Sequence, residues 1–114
     1  MKLLIIDDST VNNIILQNLL EDMGYEVSSA LNAKDAFEII KEFSPDLILL
    51  DLMMPEISGF DLLRRFRKEK INIPVVIVSA FSDDEYIRKA KELGAWDYLL
   101  KPVDKENLAS CIEG

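Results

Sequence analysis

Short apolar runs alternate with segments of helical period along the whole of this chain, and no other feature restricts its fold as much. Leu3 to Ile6, Leu47 to Leu50 and Val75 to Val78 are continuously apolar, the pattern of strands buried on both faces. Tyr25 to Ser29 alternates only in part, and Asp97 interrupts Ala95 to Leu100; both suit strands nearer a sheet edge. Between these runs, Thr10 to Met23 carries Val11, Ile14, Ile15, Leu19, Leu20 and Met23 on what is expected to be one core-facing stripe, with Gly24 as its stop. Ala33 to Phe43 should bury Ala36, Phe37, Ile39 and Ile40 and end before Pro45. A third helix over about Gly59 to Glu69 would turn Phe60, Leu63 and Phe66 inward and leave Arg64, Arg65, Arg67 and Lys68 solvated. A fourth, over about Asp84 to Leu93, has Ile87, Ala90 and Leu93 as core residues, and a short fifth covers about Lys105 to Ile112.

Strict alternation of strand and helix implies parallel strands joined by right-handed crossovers, with helices on both faces of the sheet. A closed eight-fold barrel needs about twice the 114 residues present. The α/β architecture that remains is an open, doubly wound sheet, read as a single domain over residues 1–114. In such sheets the ligand crevice lies beyond the carboxyl ends of the strands.

Composition removes several kinds of chemistry. With 13 Lys and Arg against 21 Asp and Glu the net charge is −8, which repels nucleic acid and anionic lipid. There is no His and only one Cys, so disulfides, thiolate zinc sites and histidine general bases are excluded. Leu3 to Ile6 gives way to Asp7 and Asp8 too soon for the apolar centre of a signal peptide, and no run reaches membrane-spanning length. A cytoplasmic setting is therefore expected.

The polar residues that follow the strands are Asp7 and Asp8 after the first, Asp51 after the third, Ser79 after the fourth and Lys101 after the fifth. The architecture gathers them at one edge. Three carboxylates there repel one another by several kcal/mol at an effective dielectric of about 20 unless a cation intervenes. Oxygen donors alone point to a hard ion, Mg²⁺ first, with Mn²⁺ able to substitute. Metal, the Lys101 ammonium and the Ser79 hydroxyl together suit a phosphoryl group, and Asp51 is the best placed carboxylate to attack phosphorus.

Asp7-Asp8-Ser9, the segment Leu49 to Pro55 with Gly59, Ser79-Ala80 and Lys101-Pro102, in this order and over essentially the whole chain, resemble the receiver domain of two-component response regulators. The resemblance implies a flavodoxin-like (βα)5 fold with strand order 2-1-3-4-5. It implies that Asp51 accepts phosphate from a phosphohistidine on a histidine kinase or histidine phosphotransfer protein. Asp8, Asp51 and the backbone carbonyl of Met53 would bind Mg²⁺ directly, and Asp7 largely through water. Lys101 would contact the phosphoryl group, Ser79 would swing toward it, and Tyr98 would be the aromatic switch. The output surface would be the fourth helix, fifth strand and fifth helix, which meets a downstream protein as a monomer or as a phosphorylation-dependent dimer. The Lys101-Pro102 peptide would be cis, and Met53 and Phe81 would flank the path of hydrolytic water.

Plainer roles compete with these. Asp8 or Ser9 could merely cap the first helix, and Trp96, Cys111 and Met23 are read as packing residues. A Mg²⁺-dependent phosphohydrolase of haloacid dehalogenase type also uses an Asp after an apolar strand, but it requires a second Asp two residues on, where this chain has Met53. A receiver-like interaction module that never carries phosphate typically loses an acidic-site residue, and here every matched position is filled. A flavin site is disfavoured because Asp7 to Thr10 would present carboxylates to a phosphate.

Overall fold

Each apolar run forms a strand and each periodic segment a helix in a computed structural model, which describes residues 1–113. The elements in order are β1 (Lys2–Ile6), α1 (Thr10–Asp22), β2 (Glu26–Ala30), α2 (Ala33–Phe43), β3 (Leu47–Asp51), α3 (Gly59–Lys68), β4 (Val75–Ser79), α4 (Asp84–Glu92), β5 (Asp97–Leu100) and α5 (Lys105–Glu113). All strand pairs are parallel, and the order across the sheet is β2-β1-β3-β4-β5. The two weakly patterned strands, β2 and β5, are the edges.

The inner strands carry continuous apolar runs, Leu3–Ile6, Leu47–Leu50 and Val75–Val78, because successive side chains enter opposite layers. Leu4, Ile6, Ile48, Leu50, Val75 and Ile77 form one core with Ala36, Leu62, Leu63, Phe66 and Ala90 of α2, α3 and α4. Leu3, Ile5, Leu47, Leu49, Val76 and Val78 form the other with Leu20 of α1 and Leu108 and Cys111 of α5. Each fully buried Leu, Ile or Phe contributes about 1.5–3 kcal/mol by leaving water, so a polar residue inside any of these runs would cost a core contact. The polar residues stand instead where the runs end. Ile6 pairs with Leu50, Asp51 with Val78, and Ser79 with Leu100, so the carboxyl ends of four strands lie at one rim.

Three expectations require correction. On α1 the buried positions are Asn13 and Leu20, with Leu16, Leu19 and Met23 partly covered, whereas Val11, Ile14 and Ile15 are 65%, 54% and 61% exposed. At 100° per residue Val11, Ile14 and Ile15 lie nearly opposite Asn13, Leu16 and Leu20, so the helix carries two apolar faces and the sheet covers one. Trp96 is not a packing residue: it stands 63% exposed just before the edge strand β5 and belongs to neither core. Arg67 is not a solvated charge but a tie between segments, donating from Nη1 to the carbonyls of Ile71 (2.7 Å) and Ile73 (3.1 Å) and from Nη2 to that of Gly94 (3.3 Å).

Candidate functional site

Asp7 follows the last residue of β1, and three contacts fix it. Its N–H donates to the Ala30 carbonyl at the end of β2 (3.1 Å), its carbonyl accepts from Asn13 Nδ2 (2.9 Å), and its Oδ1 accepts from the Ser9 N–H (2.9 Å). Ser9 in turn caps α1, its Oγ accepting from Asn12 N–H at 3.2 Å. Capping and site building are thus divided among neighbours: Ser9 caps, Asp7 turns into the rim, and Asp8 is exposed beside it. Asn13 was not legible as part of this arrangement. The only hint is an amide among the apolar residues of a helix.

Asp51 ends β3 and is buried. Its Oδ1 accepts from Lys101 Nζ at 2.9 Å, and the same ammonium lies 3.6 Å from Asp7 Oδ2. Asp7, Asp8 and Asp51 each offer a carboxylate oxygen within 4.8 Å of the others. Burial raises the Asp51 pKa above its ordinary value; the Lys101 hydrogen bond opposes this, and the charges of Asp7 and Asp8 reinforce it. For Lys101 burial works against the ammonium, but the hydrogen bond to Asp51 and the attraction of Asp51 and Asp7 outweigh it and leave its pKa raised. Both shifts have the sign of a site with surplus negative charge. One ammonium does not neutralise three carboxylates, and the oxygen-only donor set fits a hard divalent cation.

The Lys101 N–H donates to the Ser79 carbonyl at 2.8 Å, continuing the β4–β5 ladder one residue beyond the strand and aiming the lysine at Asp51. The Lys101-Pro102 peptide is cis. Ser79 is buried, and its Oγ accepts from the Phe81 N–H at 3.0 Å. Tyr98 donates its hydroxyl to the Phe81 carbonyl at 2.7 Å. Ser79 and Tyr98 therefore meet at the backbone of Phe81. Met53 is exposed and, with Phe81, lines the opening above Asp51.

Gly59, the first residue of α3, sits directly beneath Asp51. Its N–H donates to the Leu52 carbonyl at 2.7 Å, and a Cβ there would lie 2.6 Å from the Asp51 carbonyl oxygen and 2.9 Å from Leu52 Cα. Only glycine permits that approach. On the other side of the rim, an apolar cleft of about 380 Å³ runs from Asp51 and Lys101 between α1 and the segment after β5, walled by Ile15, Leu16, Leu19, Pro102 and Val103.

An open parallel sheet with acids, an ammonium and a hydroxyl at its carboxyl rim places the chain among doubly wound domains that work at their strand ends. A family model described as response regulator receiver domain matches residues 3–113, and the chain belongs to that family, whose members are signalling phosphoacceptors. It is 33% identical over 112 residues to sporulation initiation phosphotransferase F of Bacillus subtilis, covering 98% of this chain and 90% of that protein. It is 38% identical over 111 residues to the probable transcriptional regulator ycf27 of Porphyridium aerugineum, covering 97% of this chain but 46% of that protein. The chain thus spans less than half of some of the curated relatives it matches. Among solved structures, a response regulator receiver domain protein from Clostridium thermocellum superposes with a TM-score of 0.89 at 33% identity, covering 98% of this chain and 90% of the other. The chemotaxis protein CheY4 of Vibrio cholerae superposes with a TM-score of 0.90 at 27% identity, covering 98% and 95%.

Proposed function

We propose that this chain, as one receiver domain over residues 1–114, takes a phosphoryl group from a phosphohistidine of a histidine kinase or histidine phosphotransfer protein onto Asp51. The observation that carries the reading is the Asp51 carboxylate, buried at a strand end, 2.9 Å from the Lys101 ammonium and grouped with Asp7 and Asp8. An Asp51 carboxylate oxygen attacks phosphorus in line, an O–P bond forms as the donor's P–N bond breaks, and the electron pair leaves with the imidazole. Lys101 transfers its hydrogen bond from Asp51 to a phosphoryl oxygen, and the Ser79 hydroxyl turns from the Phe81 N–H toward another. Asp8, Asp51 and the Met53 backbone carbonyl would hold Mg²⁺, or Mn²⁺ in its place, with Asp7 acting largely through water. The cation would supply charge neutralisation at the transferring group.

The exposed apolar face of α1 supports a docking role. Val11, Ile14 and Ile15 stand outside the core, with Ile15 on the wall of the cleft that leads to Asp51, where a phosphohistidine carried on an apolar helical partner can reach the acceptor. Output belongs to the face of α4, β5 and α5, on which Trp96 and Leu100 are exposed, through contact with a downstream protein as a monomer or as a phosphorylation-dependent dimer. The charge of −8 gives no support to direct nucleic-acid contact. Among the described residues no helix is long and apolar enough to cross a membrane, and we place the domain in the cytoplasm. Incubation with acetyl phosphate and Mg²⁺ should add one phosphoryl group to the intact mass of the wild type and none to Asp51→Asn. Labelling that survives this substitution, or that is indifferent to magnesium, overturns the assignment.

A further inference from the structure

We propose that Tyr86 is a positioning residue for the switch: its ring carries the displacement of the segment between β4 and α4 into the first turn of α4. This rests on the reading of Asp51 as phosphoacceptor and adds a mechanical route out of the site. The Phe81 peptide is held at both ends, its N–H by Ser79 Oγ and its carbonyl by the Tyr98 hydroxyl. Its ring lies against Tyr86, with centroids 5.5 Å apart and planes at 52°. Tyr86 in turn stacks on Phe60, at 6.1 Å and 28°. Phe60 is buried in α3, with Lys89 Nζ 5.0 Å from its ring centroid. The Tyr86 ring is therefore the middle member of three, between a loop residue tied to both switch side chains and an anchor in the core.

The start of α4 gives this stack more to do than fill space. Helices α1, α2 and α3 are each capped by a side chain, Ser9, Asn32 and Ser58. The residue before α4, Asp83, makes no side-chain capping bond. The first turn of α4 thus lacks the fastening the other helices have, and the ring of Tyr86, two residues into the helix, ties it to its surroundings. When the Ser79 hydroxyl leaves the Phe81 N–H for a phosphoryl oxygen, the Phe81 peptide loses one of its two holds and its ring shifts. Tyr86 is in van der Waals reach of that ring and moves with it, shifting α4 against Phe60. An aromatic pair of this kind biases a two-state equilibrium by about two- to tenfold.

The test separates loading from response in the full chain. Loading is read by intact mass after acetyl phosphate, and response by amide chemical shifts of residues 84–92 on adding Mg²⁺ and beryllofluoride. In the wild type, Phe81 and the α4 amides should shift together. Tyr86→Leu, which keeps apolar volume without the ring, should load within about twofold of wild type while its α4 shifts fall at least about threefold. Tyr86→Phe, which keeps the ring, should behave as wild type; a merely space-filling role would not divide the variants in this way. Tyr86→Leu with a full α4 response overturns the proposal, as does a wild type that loads while its α4 amides stay still. A wild type that does not load at Asp51 removes the phosphoacceptor reading itself, and this inference with it.

Discussion

Asp51 shows at the scale of one side chain why such a site is costly to keep. Its carboxylate is buried beside two others and its pKa is raised. A carboxyl group whose folded pKa lies above its unfolded value is protonated more readily in the folded state, so its contribution is favourable at acid pH and is lost as pH rises through the folded pKa. The metal-free domain should lose this component between acid and neutral pH, and Asp51→Asn should remove the trend. That variant should be more stable than wild type at pH 7 by about 0.5–2 kcal/mol in urea unfolding, while accepting no phosphoryl group; equal or lower stability would show that the Lys101 pair outweighs the crowding. Hydrolysis of a phosphoryl group carried on Asp51 would be decided beside the same oxygen. Met53 and Phe81 are both exposed at the opening, and two large apolar side chains there disfavour an ordered attacking water. The phosphorylated domain with Mg²⁺ should persist for minutes or longer, and a lifetime of seconds would refute this. Asp7, Asp8, Asp51, Ser79 and Lys101 were legible in the sequence because a polar residue directly after an apolar strand has its location fixed by topology. Asn13 was not: its value lies in reaching the Asp7 carbonyl, a contact that only the packing of α1 creates.

At the scale of single elements, helix α1 shows where periodicity runs out. Val11, Ile14, Ile15, Leu16, Leu19 and Leu20 satisfy a helical spacing on two faces, and the sequence contains nothing that ranks one above the other. The choice is made by the sheet, which takes the face with Leu16 and Leu20 and even accepts Asn13 with it. Replacing Ile15 by Asp should therefore change stability by less than about 0.5 kcal/mol, the range of surface substitutions. Labelling by acetyl phosphate should be unaltered, while transfer from a phosphohistidine-bearing protein should fall at least about tenfold, as expected of an apolar anchor at the centre of an interface; equal loss with both donors would place Ile15 in the chemistry instead. Helix α3 poses the opposite case. Gly59 reads in the sequence as a helix start, and its close approach to the Asp51 carbonyl cannot be seen there. A methyl group at 2.6 Å from backbone oxygen forces the helix away from the strand, so Gly59→Ala should cost about 1–3 kcal/mol and slow acetyl phosphate labelling through displacement of Asp51. Loss of stability with an unchanged labelling rate would separate the helix from the site.

For the molecule as a whole, chemistry and structural ties occupy opposite ends of the sheet. The four strand ends carry Asp7, Asp51, Ser79 and Lys101, whereas Arg67 works at the other end, joining the end of α3, the segment entering β4 and the turn before β5 through three carbonyls. The alternation of strand and helix was enough to place the first group. The tie was hidden within a basic run, because a guanidinium that satisfies the carbonyls of three separate segments has the same local sequence as one in water. Arg67→Ala leaves those carbonyls without their charged donor and should destabilise the domain by about 1.5–3 kcal/mol, with no effect on labelling while the domain is folded. Mg²⁺ held by the acidic cluster would act from the opposite end. A cation bound only by the folded state, at ten times its dissociation constant, stabilises by about 1.4 kcal/mol, and this increment should be seen in both wild type and Arg67→Ala but shrink in Asp51→Asn. Matched ionic strength with a monovalent salt separates it from general screening of the −8 net charge. Because the two ends share no side-chain partners, the effects of Arg67→Ala and Asp51→Asn should add to within about 0.5 kcal/mol. A larger departure would mean that the tie at one end of the strands reaches Asp51 at the other.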